Sequence, residues 1–363
     1  MNKLFIPFIS LGLAACVASC NSDEPSPMPE QGGQNPDGTE KVAIKVKVGS
    51  GSRSRGADAQ GWCGDGKDIA HVRYCVYDAT ESTPLFTHLD QGEAVESAAE
   101  GGSRVFKLDL SLPKGGSFVI AVWADHYGDN AANPYSVDFN TNSVTVDYQK
   151  SYSAFDKADA FFGKLAFDTE TIKDQTVTLT RPVAQINFLS KEFANPAVGD
   201  LYPNGVFAAV DLRNSLDVSG GVNMPNKWNW RDNSYDYVVK EQSYLSSIAV
   251  SAKGNLPDVN FQGGTYKPLF MGYVLAPASD KDMPESWKVG SLRWTFFKEA
   301  NGAKSTLDGS LDYSAQSFHA NDRVVIYSES DGGNGSEGGL LTGINSFKVI
   351  IDSNFSGVPS YAI

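Results

Sequence analysis

The sequence predicts an all-β protein built from two successive β-sandwich domains. Short runs in which apolar and polar residues alternate recur from Lys41 to Glu329, separated by Gly, Asn, Asp and Pro; this is the period-two pattern of half-buried strands bounded by turns. Glycine (35 residues) and aromatic residues (11%) are plentiful. Blocks of Ala, Glu, Lys and Leu that would favour a long amphipathic helix are scarce.

The chain opens with "MNKLFIPFISLGLAACVAS", whose one charge is Lys3. The apolar stretch from Leu4 to Val17 falls short of the ~20 apolar residues a permanent membrane helix needs. A basic start, a short apolar core and small residues before a cut make residues 1–19 a secretory signal. Val17-Ala18-Ser19-Cys20 also resembles a bacterial lipobox, in which the leader is removed and the cysteine thiol takes the lipid. Cys20 is then the lipid attachment point, carrying acyl chains such as palmitate; an ordinary signal cut nearby would leave it unmodified. Asp23 and Glu24 resemble the acidic export signal of surface lipoproteins in Bacteroidetes-type bacteria, so the expected location is the outer face of the outer membrane. Residues 20–40 are rich in Pro, Gly and acids and poor in apolar side chains, the composition of a flexible tether.

The first sandwich is expected over residues 41–195. Ile44, Val46 and Val48 alternate with Lys45 and Lys47 in its opening strand. A polar loop, "GSGSRSRGADAQGW", follows, and then "IAHVRYCVYD", "SRVFKLDLSLP", "GSFVIAVWADHYG", "SVTVDYQ" and "DAFFGKLAF". "TVTLTRPVAQINFLS" reads as a strand pair or a bent strand, because Pro182 cannot donate to a central ladder. The second sandwich, 196–329, is built from "NGVFAAVDL", "SYDYVVK", "SSIAVSA", "YKPLFMGYVLAP", "VGSLRWTFFKE" and "NDRVVIYSE". Residues 330–339 are a glycine-rich linker, and 340–363 hold one more strand. That strand puts Phe347, Val349 and Ile351 on one face and Lys348, Ile350 and Asp352 on the other. It can fold back onto its own domain or pair with a neighbouring molecule.

Composition narrows the partners. The net charge is −13, and loss of Lys3 with the leader makes the mature chain one unit more negative. Such a chain has no electrostatic attraction for phosphate backbones, so nucleic acid is excluded as an expected partner. Cys63 and Cys75 would share an oxidising compartment. A disulfide between them would close a short loop, and two thiols are the alternative. A zinc site would need further ligands, and only His71 lies near.

"FVIAVWAD", "DAFFG", "LTRPVAQINF", "YVLAP", "NDRVVIY" and "LLTGINSFKVIIDSNFSG" occur in the order seen in fimbrillin-like lipoproteins of Bacteroidetes, related to type V pilins. The chain after the tether resembles that family. The resemblance implies two tandem transthyretin-like β-sandwiches and a role as subunit, anchor or accessory protein of fimbriae, with other pilus subunits and host or bacterial surface ligands as partners. It also implies assembly by strand exchange. A protease cuts after an arginine behind the first strand, here Arg53 or Arg55, and the freed strand leaves a groove. A neighbour's C-terminal strand, with Phe347, Val349 and Ile351 as its inward side chains, fills that groove.

Catalytic constellations are not evident. His71, His88, His126 and His319 are scattered, with no HExxH pair, no G-x-S-x-G elbow and no phosphate-binding loop. His126, between Asp125 and Asp129, is the nearest approach to a site and reads as a solvated loop. The expectation is a protein that is not an enzyme and needs no cofactor or metal. One aromatic cluster stands out: Trp228, Trp230, Tyr235 and Tyr237 lie close together among Asn, Asp and Arg. Flat aromatic faces beside amides suit sugar rings, so Trp228, Trp230 and Tyr235 are candidate glycan contacts. A surface glycan-binding lipoprotein of a nutrient-uptake system is therefore the alternative function. Equally, the tryptophans can cover a sandwich.

Overall fold

The computed structural model describes residues 38–48, 66, 69–80, 83–90, 104–148, 150–151, 155–170, 174–192, 206–215, 225–237, 244–250, 258–282, 291–300, 303–312, 317–328 and 348–352. Apart from a 3-10 turn, Phe155–Ala158, and a helical turn at Tyr148, Lys150 and Ser151, its elements among the described residues are strands. In the first half these are β1 (Thr39–Val48), β2 (His71–Asp78), β3 (Pro84–Asp90), β4 (Arg104–Pro113), β5 (Ser117–Asp125), β6 (Tyr135–Asp138), β7 (Ser143–Val146), β8 (Ala160–Asp168) and β9 (Asp174–Thr178). Then come β10 (Val183–Ser190), β11 (Val206–Ser215), β12 (Pro225–Asn229), β13 (Ser234–Tyr237), β14 (Tyr244–Val250) and β15 (Val259–Phe261). The last are β16 (Gly264–Leu275), β17 (Ser291–Ala300), β18 (Ala303–Asp312), β19 (Arg323–Ser328) and β20 (Lys348–Asp352). The protein is all-β, in several packed sheets.

Sheet A has the order β4-β1-β9 and sheet B the order β3-β2-β5-β8. β1 runs antiparallel to β4, from Thr39 opposite Pro113 to Val48 opposite Arg104, and parallel to β9. The alternation read from the sequence sets its faces. Val42, Ile44, Val46 and Val48 are all but fully buried, alternating with exposed Lys41 and Ala43 and half-buried Lys45 and Lys47. They meet Phe106, Leu108, Leu110 and Leu112 from β4, Val72, Tyr74 and Val76 from β2, and Ile120 and Val122 from β5 in one core. Burying the four β1 side chains contributes roughly 6–12 kcal/mol.

Sheet B is buried on its other face too. Arg73, Cys75 and Tyr77 of β2, Ala121 and Trp123 of β5, and Phe162 of β8 point away from that core and are still buried. Their cover is sheet C, ordered β13-β12-β7-β6. Tyr135 of β6 meets Trp123 edge-on at 5.3 Å, and Trp228 of β12 meets Phe162 at 5.0 Å. Tyr77 Oη donates to the Phe139 carbonyl at 2.9 Å. Sheet C joins strands from the two halves of the chain: β12 pairs with β7, Trp228 opposite Val144.

Sheet D has the order β15-β16-β10-β19-β20 and sheet E the order β14-β11-β17-β18. The expected break at Pro182 is where the chain leaves β9 in sheet A and enters β10 in sheet D. The sequence reading carries the first sandwich to residue 195, whereas β10 pairs antiparallel with β16 and parallel with β19. Every β10 residue is buried, so its pattern has no polar face from which a partner could be read. Inside this sheet Gln185 Nε2 donates to Tyr273 Oη at 2.9 Å, while Gln185 Oε1 accepts from Arg323 Nε (2.8 Å) and Asn187 Nδ2 (3.1 Å).

β20 closes sheet D as its edge strand, antiparallel to β19. Val349 and Ile351 lie opposite Ile326 and Val324 and are half-buried. Ile350, on the other face, packs against the cluster of Leu189, Phe261, Tyr266, Val325 and Tyr327.

Replacing Ile44 by Ala should cost about 2–5 kcal/mol in urea unfolding, as expected for truncating a fully buried aliphatic side chain. Lys41→Ala, on the exposed face of the same strand, should stay within about 0.5 kcal/mol of the parent.

Candidate functional site

A cavity of about 570 Å³ lies at the seam of the two halves. β8, the edge strand of sheet B, supplies Phe162 and Lys164 from its outer face. The crossing from β9 to β10 supplies Thr180, Arg181 and Pro182, and the β12–β13 hairpin supplies Trp228, Trp230, Arg231, Asn233 and Tyr235. Ala276 and Ala278 after β16, with Ala320 and Asn321 before β19, close it from the second half.

Arg181 is the fixed point of the wall. It is 2% exposed and pairs with Asp159 through two bonds, Nε to Oδ1 at 2.8 Å and Nη2 to Oδ2 at 2.9 Å. Its guanidinium lies over the Phe161 ring at 4.5 Å, and Nη1 reaches Asn321 Oδ1 at 3.2 Å. A planar fork against a carboxylate is the geometry in which a buried arginine is best satisfied. Asn321 and Asn233 both hold positive φ, 67° and 57°, a region asparagine enters more readily than most residues.

The hairpin is set by its own polar side chains. Arg231 N donates to Asn229 Oδ1 (2.9 Å), and Ser234 donates to Asp232 Oδ1 from both N (3.1 Å) and Oγ (2.7 Å). Those Ser234 bonds, the hydroxyl first, lower the Asp232 carboxyl below its ordinary range. Trp228 Nε1 donates to Asn233 Oδ1 at 2.9 Å, and the Tyr235 ring stacks on Trp228 at 6.4 Å and 21°. Tyr235 Oη donates to the Ala276 carbonyl at 3.2 Å, tying the hairpin to the second half. Across the cavity Lys164 Nζ donates to the Trp230 carbonyl at 2.7 Å. Burial lowers the pKa of that ammonium.

The three aromatic residues singled out from sequence therefore line one cavity. Trp228 and Trp230 are only 9% and 3% exposed, so most of each ring covers β8, and Tyr235 is half-buried. The sequence does not mark Phe162, Lys164, Arg181 and Asn321 as parts of one site; they lie in separate strands and loops, and only the topology brings them together. Cys20, Arg53, Arg55, Cys63 and Phe347 lie outside the described residues. Cys75 is buried in β2, its Sγ 3.9 Å from the Val76 carbonyl.

The loop around His126 is more than a solvated connection. Asp125 is 1% exposed and accepts from Arg73 Nη2 (2.5 Å), Trp123 Nε1 (2.8 Å), Asn133 Nδ2 (3.2 Å) and the amides of Tyr127 (3.0 Å) and Gly128 (2.6 Å). A carboxylate so fully occupied organises the loop and has little capacity left for a ligand. Among the described residues no group of three or more His, Cys, Asp or Glu could hold a metal ion.

Asp159→Ala should destabilise the protein by about 3–5 kcal/mol, because it leaves the Arg181 charge buried and unpaired. The double variant Asp159→Ala, Arg181→Met should cost less than the single one, as chemical denaturation would show.

Several solved structures align with the chain at low identity. A candidate cell adhesion protein from Bacteroides eggerthii aligns at 11% identity over 88% of this chain and 97% of its own, with TM-score 0.44. A fimbrial assembly protein from Parabacteroides distasonis aligns at 9% identity over 86% and 99%, TM-score 0.41. A candidate polysaccharide-binding protein from Bacteroides thetaiotaomicron aligns at 12% over 86% and 96%, TM-score 0.42. Among curated proteins none matches the chain. Residues 35–293, well over half of the sequence, match the family of unknown function DUF6562, and the chain belongs to that family.

Proposed function

We propose that this chain is a non-catalytic, lipid-anchored protein of the outer bacterial surface that acts as a structural or adhesive component of fimbriae. In this reading it is a subunit, anchor or accessory protein that joins its neighbours by protease-triggered strand exchange. The observation that carries the reading is the position of β1. It is the central strand of sheet A, bonded to β4 on one side and β9 on the other, with four side chains in the core. Its loss would leave a groove with two open edges and a row of empty apolar pockets.

A donor strand seated there would gain main-chain hydrogen bonds on both sides and fill alternate pockets, the physics of β-strand addition. β20 suits the part. It ends the described chain as an edge strand with a single neighbour, β19, so exchange would trade a one-sided ladder for a two-sided one. Arg53 and Arg55 follow β1 closely enough in sequence for cleavage there to detach it.

The seam cavity favours a second reading, a surface glycan-binding lipoprotein of a nutrient-uptake system, because Trp228, Trp230 and Tyr235 converge on one concave site beside amide and basic side chains. The two readings differ in what they ask of the tail, since only assembly needs β20.

Limited trypsin treatment separates them. Cutting after Arg53 or Arg55 should give a ladder of oligomers on unboiled denaturing gels, and a chain lacking residues 340–363 should give none. A protein that stays monomeric in every lane would contradict strand exchange.

A further inference from the structure

The charge of the seam cavity runs against that of the protein. The chain carries 43 acidic and 30 basic residues. Yet among the described residues no Asp or Glu lines the cavity, whereas Lys164, Arg181 and Arg231 do. Arg181 is neutralised by its two-bond pairing with Asp159 behind the wall. Lys164 is held by a neutral group, the Trp230 carbonyl, at 2.7 Å. An ammonium has three donors, so two remain for a ligand. Arg231 is exposed at the turn of the hairpin; its neighbour Asp232, held by Ser234, is not among the described residues that line the cavity. The cavity thus presents two cations, Lys164 and Arg231, with no carboxylate among its described lining residues.

The remaining lining suits a sugar ring better than a simple anion. Tyr235 stacked on Trp228 gives an aromatic wall. Asn233 has its Oδ1 taken by Trp228 Nε1, which leaves its amide donors for a hydroxyl, and Thr180 adds an exposed hydroxyl. The volume of about 570 Å³ is within the ordinary range for a small-molecule site and has room for a short oligosaccharide segment.

We propose that this cavity binds a hexuronate unit of an acidic polysaccharide, its carboxylate on Lys164 and Arg231 and its ring against Tyr235 and Trp228. The proposal rests on the glycan-binding reading and adds the charge class of the ligand. It leaves the strand-exchange reading untouched, since neither β1 nor β20 lines the cavity.

The test uses the full chain on an array of uronate-bearing, sialylated and neutral polysaccharides, followed by titration with oligogalacturonate and its methyl ester. Uronate-bearing glycans should bind. The ester, with the same ring and no charge, should bind about tenfold more weakly or worse, as loss of a charge-assisted contact predicts. Lys164→Met with Arg231→Gln should lose the preference for acid over ester while remaining folded, melting cooperatively at a somewhat lower temperature because the Lys164 bond to the Trp230 carbonyl is gone. Equal binding of acid and ester by the parent would overturn the proposal and leave a neutral glycan site. Binding of no glycan by a chain that melts normally would overturn both the proposal and the glycan reading. Tighter binding of sialylated than of uronate glycans would overturn the hexuronate assignment.

Discussion

Sheet B has two apolar faces, and sheet A can cover only one of them. Trp123 and Phe162 stand on the face turned away from sheet A, beside the buried polar side chains Arg73 and Tyr77. Leaving two large aromatic side chains in water would forfeit several kcal/mol of burial free energy. The cover is sheet C, and neither half of the chain supplies it alone: β6 and β7 come from the first half, β12 and β13 from the second. The need to bury one sheet face therefore fastens the two halves together.

The seam follows from that arrangement. Between β7 and β12 the chain must complete sheet B with β8, return to sheet A with β9, and cross into sheet D with β10. At the crossing the backbone turns past Arg181 and Pro182, and the Arg181–Asp159 pair fixes the turn deep in the protein. Tyr148 ties the same region across the seam, its Oη donating to the Pro225 carbonyl and accepting from Leu275 N at 3.2 Å. The cavity occupies the space that β8, the hairpin and the crossing leave between them. Its composition is a consequence of topology, and its charge is a property of the few side chains that point into it.

What the sequence made legible follows from which strands have a wet face. β1 and β4 alternate because exposed Lys41, Ala43, Lys107 and Asp109 are interleaved with buried apolar residues. β10 is recognisable as a strand, but burial on both faces hides which sheet it joins. β12 reads as an aromatic patch, since "NKWNW" places Trp228 and Trp230 on either side of Asn229 without an aliphatic run. Trp228, Trp230 and Tyr235 were legible as a cluster because they are neighbours in sequence. Lys164, Arg181 and Asn321 belong to three separate stretches, and nothing local marks them. The terminal strand was legible from its alternation, whereas its seat on β19 depends on main-chain bonds that side-chain pattern does not encode.

Scanning calorimetry of the parent and of Phe162→Ala tests most directly the claim that a shared sheet makes the two halves one cooperative unit. Phe162 packs against Trp228 and Trp230 across the seam. The account predicts one endotherm for the parent, with matching calorimetric and van't Hoff enthalpies, moved as a whole to lower temperature in the variant. Two endotherms in the parent, only one of them shifted by the substitution, would contradict it.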